Sequence, residues 1–242
     1  MYTARLLLVT GLFLFILINM DSEDTNAQGT SIGIKAGVNS SSHINSFRFV
    51  LNDINLDFSP DFTSGFHGGI IIRSELSQKT RIQFEPTFIT LGAQYEESFN
   101  LRGFSLESES ETRLTYVQLP ILLQVSTVPP QRTVYGRPFN FTTYHISGGV
   151  FGGYLLDARF SGTNSGAPIG IEFQGNFSND ITNQYTLYDA GIILGAGFES
   201  GIESKVGLEV RMIASLLSSG DATGFDFSPY NVGVLITAYL LF

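Results

Sequence analysis

The 242-residue chain contains no cysteine and no tryptophan. Without thiols there are no disulfides, thiolate nucleophiles, zinc–cysteine sites or lipid attachments through Cys. Charge is also scarce. Only 14% of residues are charged, and 13 basic residues stand against 22 acidic ones for a net charge of −9. That balance excludes the basic face that nucleic-acid binding requires. Long apolar runs are missing too, except for one at the N-terminus. A helical membrane bundle, which needs about 20 apolar residues per span, is therefore excluded. What the chain has in abundance is glycine (26), phenylalanine (21) and tyrosine (10), with a mean hydropathy of +0.16.

The single apolar run, Leu6–Ile18, follows Arg5 and precedes a polar stretch that ends near Ala27. A basic start, a short apolar core and a small-x-small triplet (Thr25-Asn26-Ala27) predict a secretory signal peptide over residues 1–27. An uncleaved N-terminal anchor is the alternative reading. The acids Asp21, Glu23 and Asp24 are atypical of a cleavage region. Removing residues 1–27 leaves 12 basic and 19 acidic residues, a net charge of −7.

Residues 28–242 form one domain in which apolar residues recur at every second position. The eight stretches are 31–40, 65–74, 80–90, 113–125, 144–158, 189–199, 205–215 and 230–242. In the seventh, Val206, Leu208, Val210 and Met212 alternate with Gly207, Glu209 and Arg211. A period of two means strands, because successive side chains point to opposite faces of a sheet. The predicted fold is all-β, with about eight strands of 10–13 residues. Globular strands average about 5–6 residues, whereas a tilted strand crossing a bilayer needs about 9–11. The connections alternate as well. Residues 41–63, 91–112, 159–187 and 216–229 read as long polar loops, residues 75–79 and 200–204 as tight turns, and 126–142 as intermediate. This pattern predicts a closed antiparallel up-and-down transmembrane β-barrel, with long loops outside and short turns on the periplasmic side. Ten strands would result if 132–142 or 169–177 also paired.

Alternation alone does not say which face is wet. The polar face carries charges of both signs in mid-strand, namely Lys35, Arg73, Arg81, Glu85, Glu209 and Arg211, interleaved with glycines. Long charged side chains beside glycines suit a crowded lumen of ion pairs. At the strand ends, Phe88, Tyr95, Tyr116, Tyr144, Tyr154, Tyr185, Tyr188 and Tyr230 are expected near the two membrane interfaces as girdles. Pro86 and Pro120 donate nothing to a ladder and predict bulges or local bends. Loop aromatics (Phe47, Phe49, Phe58, Phe62, Phe104, Phe139, Phe141) are candidates for folding the loops down or for meeting a partner.

Several segments, in order, resemble the outer-membrane β-barrel proteins of Bacteroidetes, the porin-like or PorT-like group. They are Ile34-Lys35-Ala36-Gly37-Val38-Asn39, Gly65-Phe66-His67-Gly68-Gly69, Gln83-Phe84-Glu85-Pro86 and Tyr116-Val117-Gln118-Leu119-Pro120-Ile121-Leu122-Leu123. Gly148–Leu156 and Gly195–Glu199 match two later strands. Gln118 stands where an acid is usual. The resemblance implies residence in the cell outer membrane of a Gram-negative organism. With it comes a C-terminal signal, carried here by Tyr239 and Phe242, that the barrel assembly machinery reads. Partners would be outer-membrane lipid, that machinery and, through the loops, an extracellular or envelope protein.

Catalytic and binding chemistry is thinly represented. His67 with Ser64 is the one pair resembling a lipid-modifying site, but no nucleophile elbow or ordered triad accompanies it, and a hydrogen-bonded lumen histidine is the simpler reading. The acids Glu107, Glu109 and Glu111 lack the turn glycine and ligand spacing of a calcium loop and read as solvated. Gly195-x-Gly197 is no dinucleotide fingerprint, since the third glycine is misplaced and no helix follows. No cofactor or metal is expected. The expected function is a non-enzymatic structural, binding or porin-like role. A barrel-embedded lipid-modifying enzyme and a secreted soluble barrel holding an apolar ligand are the alternatives.

Overall fold

A computed structural model describes residues 29–44, 47–51, 54–101, 104–127, 133–134, 137–138, 142–166, 173–201, 204–220 and 229–242. The leader 1–27, Phe139 and Phe141 lie outside the described residues, as do the side chains of Phe47, Phe49, Phe58 and Phe104.

Eight strands close into a ring. They are β1 (Thr30–Ile44), β2 (Thr63–Glu75), β3 (Thr80–Phe84 continued by Thr87–Leu101), β4 (Phe104–Ser126), β5 (Thr142–Gly166), β6 (Tyr188–Gly201), β7 (Lys205–Ser215) and β8 (Tyr230–Leu241). Each pairs antiparallel with the next, and β8 pairs with β1 over Gly33↔Leu241 to Ile44↔Tyr230. Directly paired residues lead around the ring from Ser31 through Arg73, Gln83, Leu122, Gly149, Ile193, Ile213 and Gly233 to Ser41. The path returns to β1 ten residues beyond its start. At about 3.3 Å per residue and about 4.8 Å between strands, that stagger sets a strand tilt of about 40°.

The alternation is realised with its apolar face outward. Ile34 is 58% exposed and Lys35 beside it 6%. On the β7 side the exposed apolar residues run from Val206 to Leu216. That is about 33 Å along the strand and about 25 Å along the barrel axis, the height of an outer-membrane barrel's apolar band. No helix among the described residues is long and apolar enough to cross a membrane; the crossing is made by strands.

Three expectations change. First, 41–63, 91–112 and 159–187 are not simply loops: β1 runs on to Ile44, Phe47–Leu51 pairs with Ile54–Phe58, and Pro60–Asp61 pairs with β3. β3 and β4 continue as one long hairpin, and β5 runs for 25 residues. A further strand, Phe173–Asp180, pairs with Arg159–Gly166 of β5. It adds to this extension and not to the ring, which stays at eight. Second, neither proline makes a bulge. β3 keeps one register with β2 and one with β4 on both sides of Pro86, and the pairing of β4 with β5 is unshifted at Pro120. Each proline only removes a rung. Ile70 N donates to Pro86 O and Glu85 N to Pro120 O, both at 3.0 Å. The bond that Pro120 cannot return to Glu85 O is replaced by Thr87 Oγ1 at 2.6 Å. Third, the irregularity falls at Leu155/Asp157 on β5. It moves the inward phase from Leu155 to Ala158 and explains why that stretch alternates less cleanly.

The seam between β1 and β8 gives a test of closure in a chain free of cysteine. In Ala36→Cys/Ala238→Cys, paired directly across the seam, mild oxidation of the folded protein is expected to consume both thiols within one chain. Two titratable thiols per molecule after oxidation would mean an open sheet.

Candidate functional site

The lumen holds the charged residues in two layers. In the middle, Glu85 is fully buried between the two segments of β3, beside the two missing rungs. Lys35 Nζ donates to its Oε2 at 2.5 Å. Arg211 binds it in bidentate fashion, Nη1 to Oε2 at 2.5 Å and Nη2 to Oε1 at 2.8 Å. Arg211 Nη2 also donates to Glu209 Oε2 at 2.8 Å. Ser147 donates to the other oxygen of Glu209, and His145 Nε2 lies 3.8 Å from the carboxylate.

Towards the mouth at the short turns a second cluster forms around Glu199. Arg73 Nη1 donates to it at 2.6 Å, Arg81 Nη1 at 3.0 Å and Tyr239 OH at 3.1 Å. The Arg73 guanidinium sits 5.6 Å from the Tyr239 ring centre, where a cation meets the negative face of the ring. Lys205 and Glu75 complete the mouth at 3.7 Å from one another.

Charge-assisted, bidentate contacts of this kind offset the cost of holding ions away from water. Glycines make the room. A Cβ on Gly195 would stand 2.5 Å from Glu209 Oε1 and 2.7 Å from Ser147 Oγ. One on Gly207 would stand 2.1 Å from the Tyr239 ring.

The structure thus brings Lys35, Glu85, Arg211 and Glu209 into one cluster and Arg73 with Arg81 into the other. Glu199 was missed as a site residue. Four cations against two carboxylates was the signal, because a closed interior has to balance its charges, and Glu199 lies on the same face as Asp189.

Above the ions the lumen is apolar, which the expectation of a polar interior did not include. Ile89, Leu91, Leu114, Tyr116, Leu122, Phe151, Leu155, Ala158, Ile193, Ile213 and Leu235 form one buried cluster, fed by six of the eight strands. Nearer the outer rim, His43 Nδ1 and Tyr95 OH lie 2.8 Å apart. Ser215 Oγ donates to Asp189 at 2.7 Å, and Asn231 Nδ2 donates to Ser219 Oγ at 2.8 Å.

Tyr95, Tyr116 and Tyr185 are therefore lumen residues, not girdle residues. Of the expected girdle aromatics, Phe88, Tyr144, Tyr154 and Tyr188 do face outward, the last two meeting edge-on at 5.6 Å. His43 belongs to β1, not to a loop. His67 is buried with its Nε2 2.9 Å from Thr237 Oγ1, while Ser64 lies on the outer face. Three positions along a strand separate the faces, so the pair does not form a catalytic unit. Tyr239 and Phe242 also part company. Tyr239 is 4% exposed in the lumen and Phe242 64% exposed outside, with Phe242 N donating to Ile32 O at 2.8 Å.

Past the apolar band, β3, β4, β5 and strand Phe173–Asp180 continue as a sheet, joined at its β3 side by the short strand Pro60–Asp61, which pairs with Tyr95 and Gln94. From Arg113 to Phe104, β4 advances about 30 Å beyond the band. One face is acidic. Glu96 is paired directly with Glu109, a like-charge juxtaposition that costs stability. Glu96, Glu107, Glu109, Thr163, Ser165 and Gln174 line a cleft of about 640 Å³ across the sheet. Among the described residues no group of three or more metal-ligating side chains occurs.

The family model for an outer membrane protein beta-barrel domain matches residues 26–219. Among solved structures, the chain is similar to Ail, the attachment invasion locus protein of Yersinia pestis. Identity is 12% over 88% of this chain and 99% of that one, with a TM-score of 0.27. The complex of Ail with the heparin analogue sucrose octasulfate gives 12% over 87% and 98%, also at 0.27. The translocator domain of autotransporter NalP from Neisseria meningitidis gives 9% over 100% and 96%, at 0.24. No curated protein matches the chain.

The ion clusters generate a stability prediction. Glu85→Gln keeps the shape but leaves Lys35 and Arg211 buried with one carboxylate fewer. Removing one partner of a buried pair costs about 3–5 kcal/mol, and Gln should fall at the lower end because it keeps a hydrogen bond. Glu75→Gln, at the exposed mouth, should cost about 1 kcal/mol or less. Urea unfolding of the refolded barrel, followed by loss of the heat-modifiable gel band, measures both. Equal midpoints for the two variants would contradict the central role of Glu85.

Proposed function

We propose a function from one premise: the chain belongs to the outer membrane protein beta-barrel domain family. Its place is the outer membrane, and its role is that of a non-enzymatic, non-conducting anchor. The anchor holds an extracellular sheet at the cell surface, where it binds or assembles with a protein partner.

The observation that carries this reading is the occupied lumen. Two ion clusters are topped by an apolar cluster drawn from six strands, which leaves the projecting sheet as the surface able to meet another molecule. An eight-stranded barrel is just wide enough for its side chains to fill. A lipid-modifying enzyme is not favoured, because His67 and Ser64 face opposite ways. A soluble ligand-binding barrel is not favoured either, because the exposed face is apolar from mouth to rim.

The proposal includes three finer assignments. Residues 1–27 are the cleaved signal peptide, with the barrel domain over 28–242. The chain is one of the Bacteroidetes porin-like or PorT-like proteins. The assembly machinery reads the outward-facing Phe242, while Tyr239 serves inside the lumen.

In planar bilayers the purified barrel is expected to give no stable conductance, and the mature protein's mass is expected to begin at Gln28. Large, long-lived currents would overturn the anchor reading, since the two ion clusters and the apolar cluster could not then remain in place.

A further inference from the structure

Strand Phe173–Asp180 is the outermost strand of the projecting sheet. All eight of its residues pair with Arg159–Gly166 of β5, in unbroken register. Its other side pairs with nothing among the described residues. A free row of N–H and C=O groups is a template for another strand. Proteins usually blunt such an edge with Lys, Pro, a bulge or extreme shortness. Here none of these is present: Phe173–Asn179 carries no charge and no proline. Gln174–Asn176 and Ser178–Asp180 are exposed. The edge also stands beyond the apolar band, in water, so lipid does not cover it.

Charge selects the occupant. The projecting part of the sheet carries Glu96, Glu107, Glu109 and Asp180. The cations at its base, Arg113 and Arg159, are already bonded to Glu111 and Asp157. Pairing two copies of this chain edge to edge would bring two acidic sheets together. Glu107 and Glu109 lie three strand spacings from an added strand, about 14 Å. That is too far for contact but close enough for the field to steer a cation at low ionic strength.

Resting on the reading of this sheet as the binding surface, we infer that the edge Phe173–Asp180 takes up an extended, basic segment of a partner protein as an added strand. Backbone hydrogen bonds hold the segment, and the acidic face draws it in. This is recognition by strand addition.

The test uses the full barrel in detergent and a fluorescent octapeptide of alternating Lys and Val. Three controls accompany it: the same peptide N-methylated at alternate residues, its Glu–Val counterpart, and the barrel variants Ser178→Pro and Asn176→Lys. Heat-modifiability confirms that each variant barrel folds. The Lys–Val peptide is expected to bind, more tightly at low salt. Binding is expected to fall at least tenfold with the methylated peptide, with the Glu–Val peptide and with either variant.

Equal binding of the methylated peptide would reduce the interaction to charge alone and overturn the proposal. So would indifference to both edge variants. A doubled mass in sedimentation that Ser178→Pro abolishes would make a second copy the occupant and overturn the basic-segment assignment. Each of these failures leaves the non-conducting anchor standing, because that reading is decided by the bilayer currents.

Discussion

An eight-stranded cylinder with a stagger of ten has an interior of side-chain width, and this narrowness governs the rest of the molecule. A charge pointing inward has no bulk water to meet. It must find an opposite charge across the lumen, at bonding distance. Glu85 does so with Lys35 from β1 and Arg211 from β7, and Glu199 does so with Arg73 and Arg81. Strands far apart in sequence are thereby tied together through the middle of the barrel, in addition to the ladder that ties neighbours. The pairs are specific in register. A slip by one residue would send every inward charge into lipid and every outward Val, Leu or Ile into the lumen.

The same narrowness explains where the glycines and prolines fall. Glu209 and Arg211 occupy the space that a side chain at Gly195 would fill, and Tyr239 the space that one at Gly207 would fill, so their reach across the lumen depends on those two positions having none. The two prolines flank the same layer. Pro86 adjoins Glu85, and Pro120 is its cross-strand partner. They open two rungs without moving the register, and Thr87 repairs one of them through its hydroxyl. Glu85 is thus the residue at which ladder, lumen and charge balance meet.

The features set by period and length were legible in the sequence. Alternation over ten or more residues, repeated eight times with long and short connections in turn, specified strands, their number and an up-and-down order. The mid-strand charges and the terminal pairing of β8 with β1 followed the same pattern. What escaped has physical causes. The outer halves of β3, β4 and β5 are polar on both faces, so they lack the contrast that marks a half-buried strand, and Glu107–Glu111 read as a solvated loop. The apolar cluster in the lumen shares its face with the ions. Leu122 sits between Gln118 and Gln124 on one strand, and no local pattern separates a lumen leucine from a lipid-facing one once a run is apolar on both sides. Tyr95, Tyr116 and Tyr185 were misplaced for a related reason: a tyrosine suits a membrane interface and a hydrogen-bonded interior equally well.

The irregularity at Leu155/Asp157 joins the two halves of the molecule. Below it, β5 sends Tyr144, Ile146, Val150 and Leu156 into lipid and His145, Phe151 and Leu155 into the lumen. Above it the phase is offset, Ala158 takes the inward place, and Arg159 emerges directly opposite Arg113 at the top of the apolar band. Two like charges facing each other on a sheet repel, and each is held by an acid two residues earlier on its own strand, Glu111 and Asp157. That arrangement belongs in water and headgroups, not in acyl chains, so it marks the level at which the wall of a barrel becomes a free-standing sheet. An inserted residue locally raises twist and bends a strand, which lets a curved wall give way to a projecting sheet without breaking the ladder. The chain continues one hydrogen-bonded surface from the mouth at the short turns to the far end of the β3–β4 hairpin. Only its solvent changes along the way.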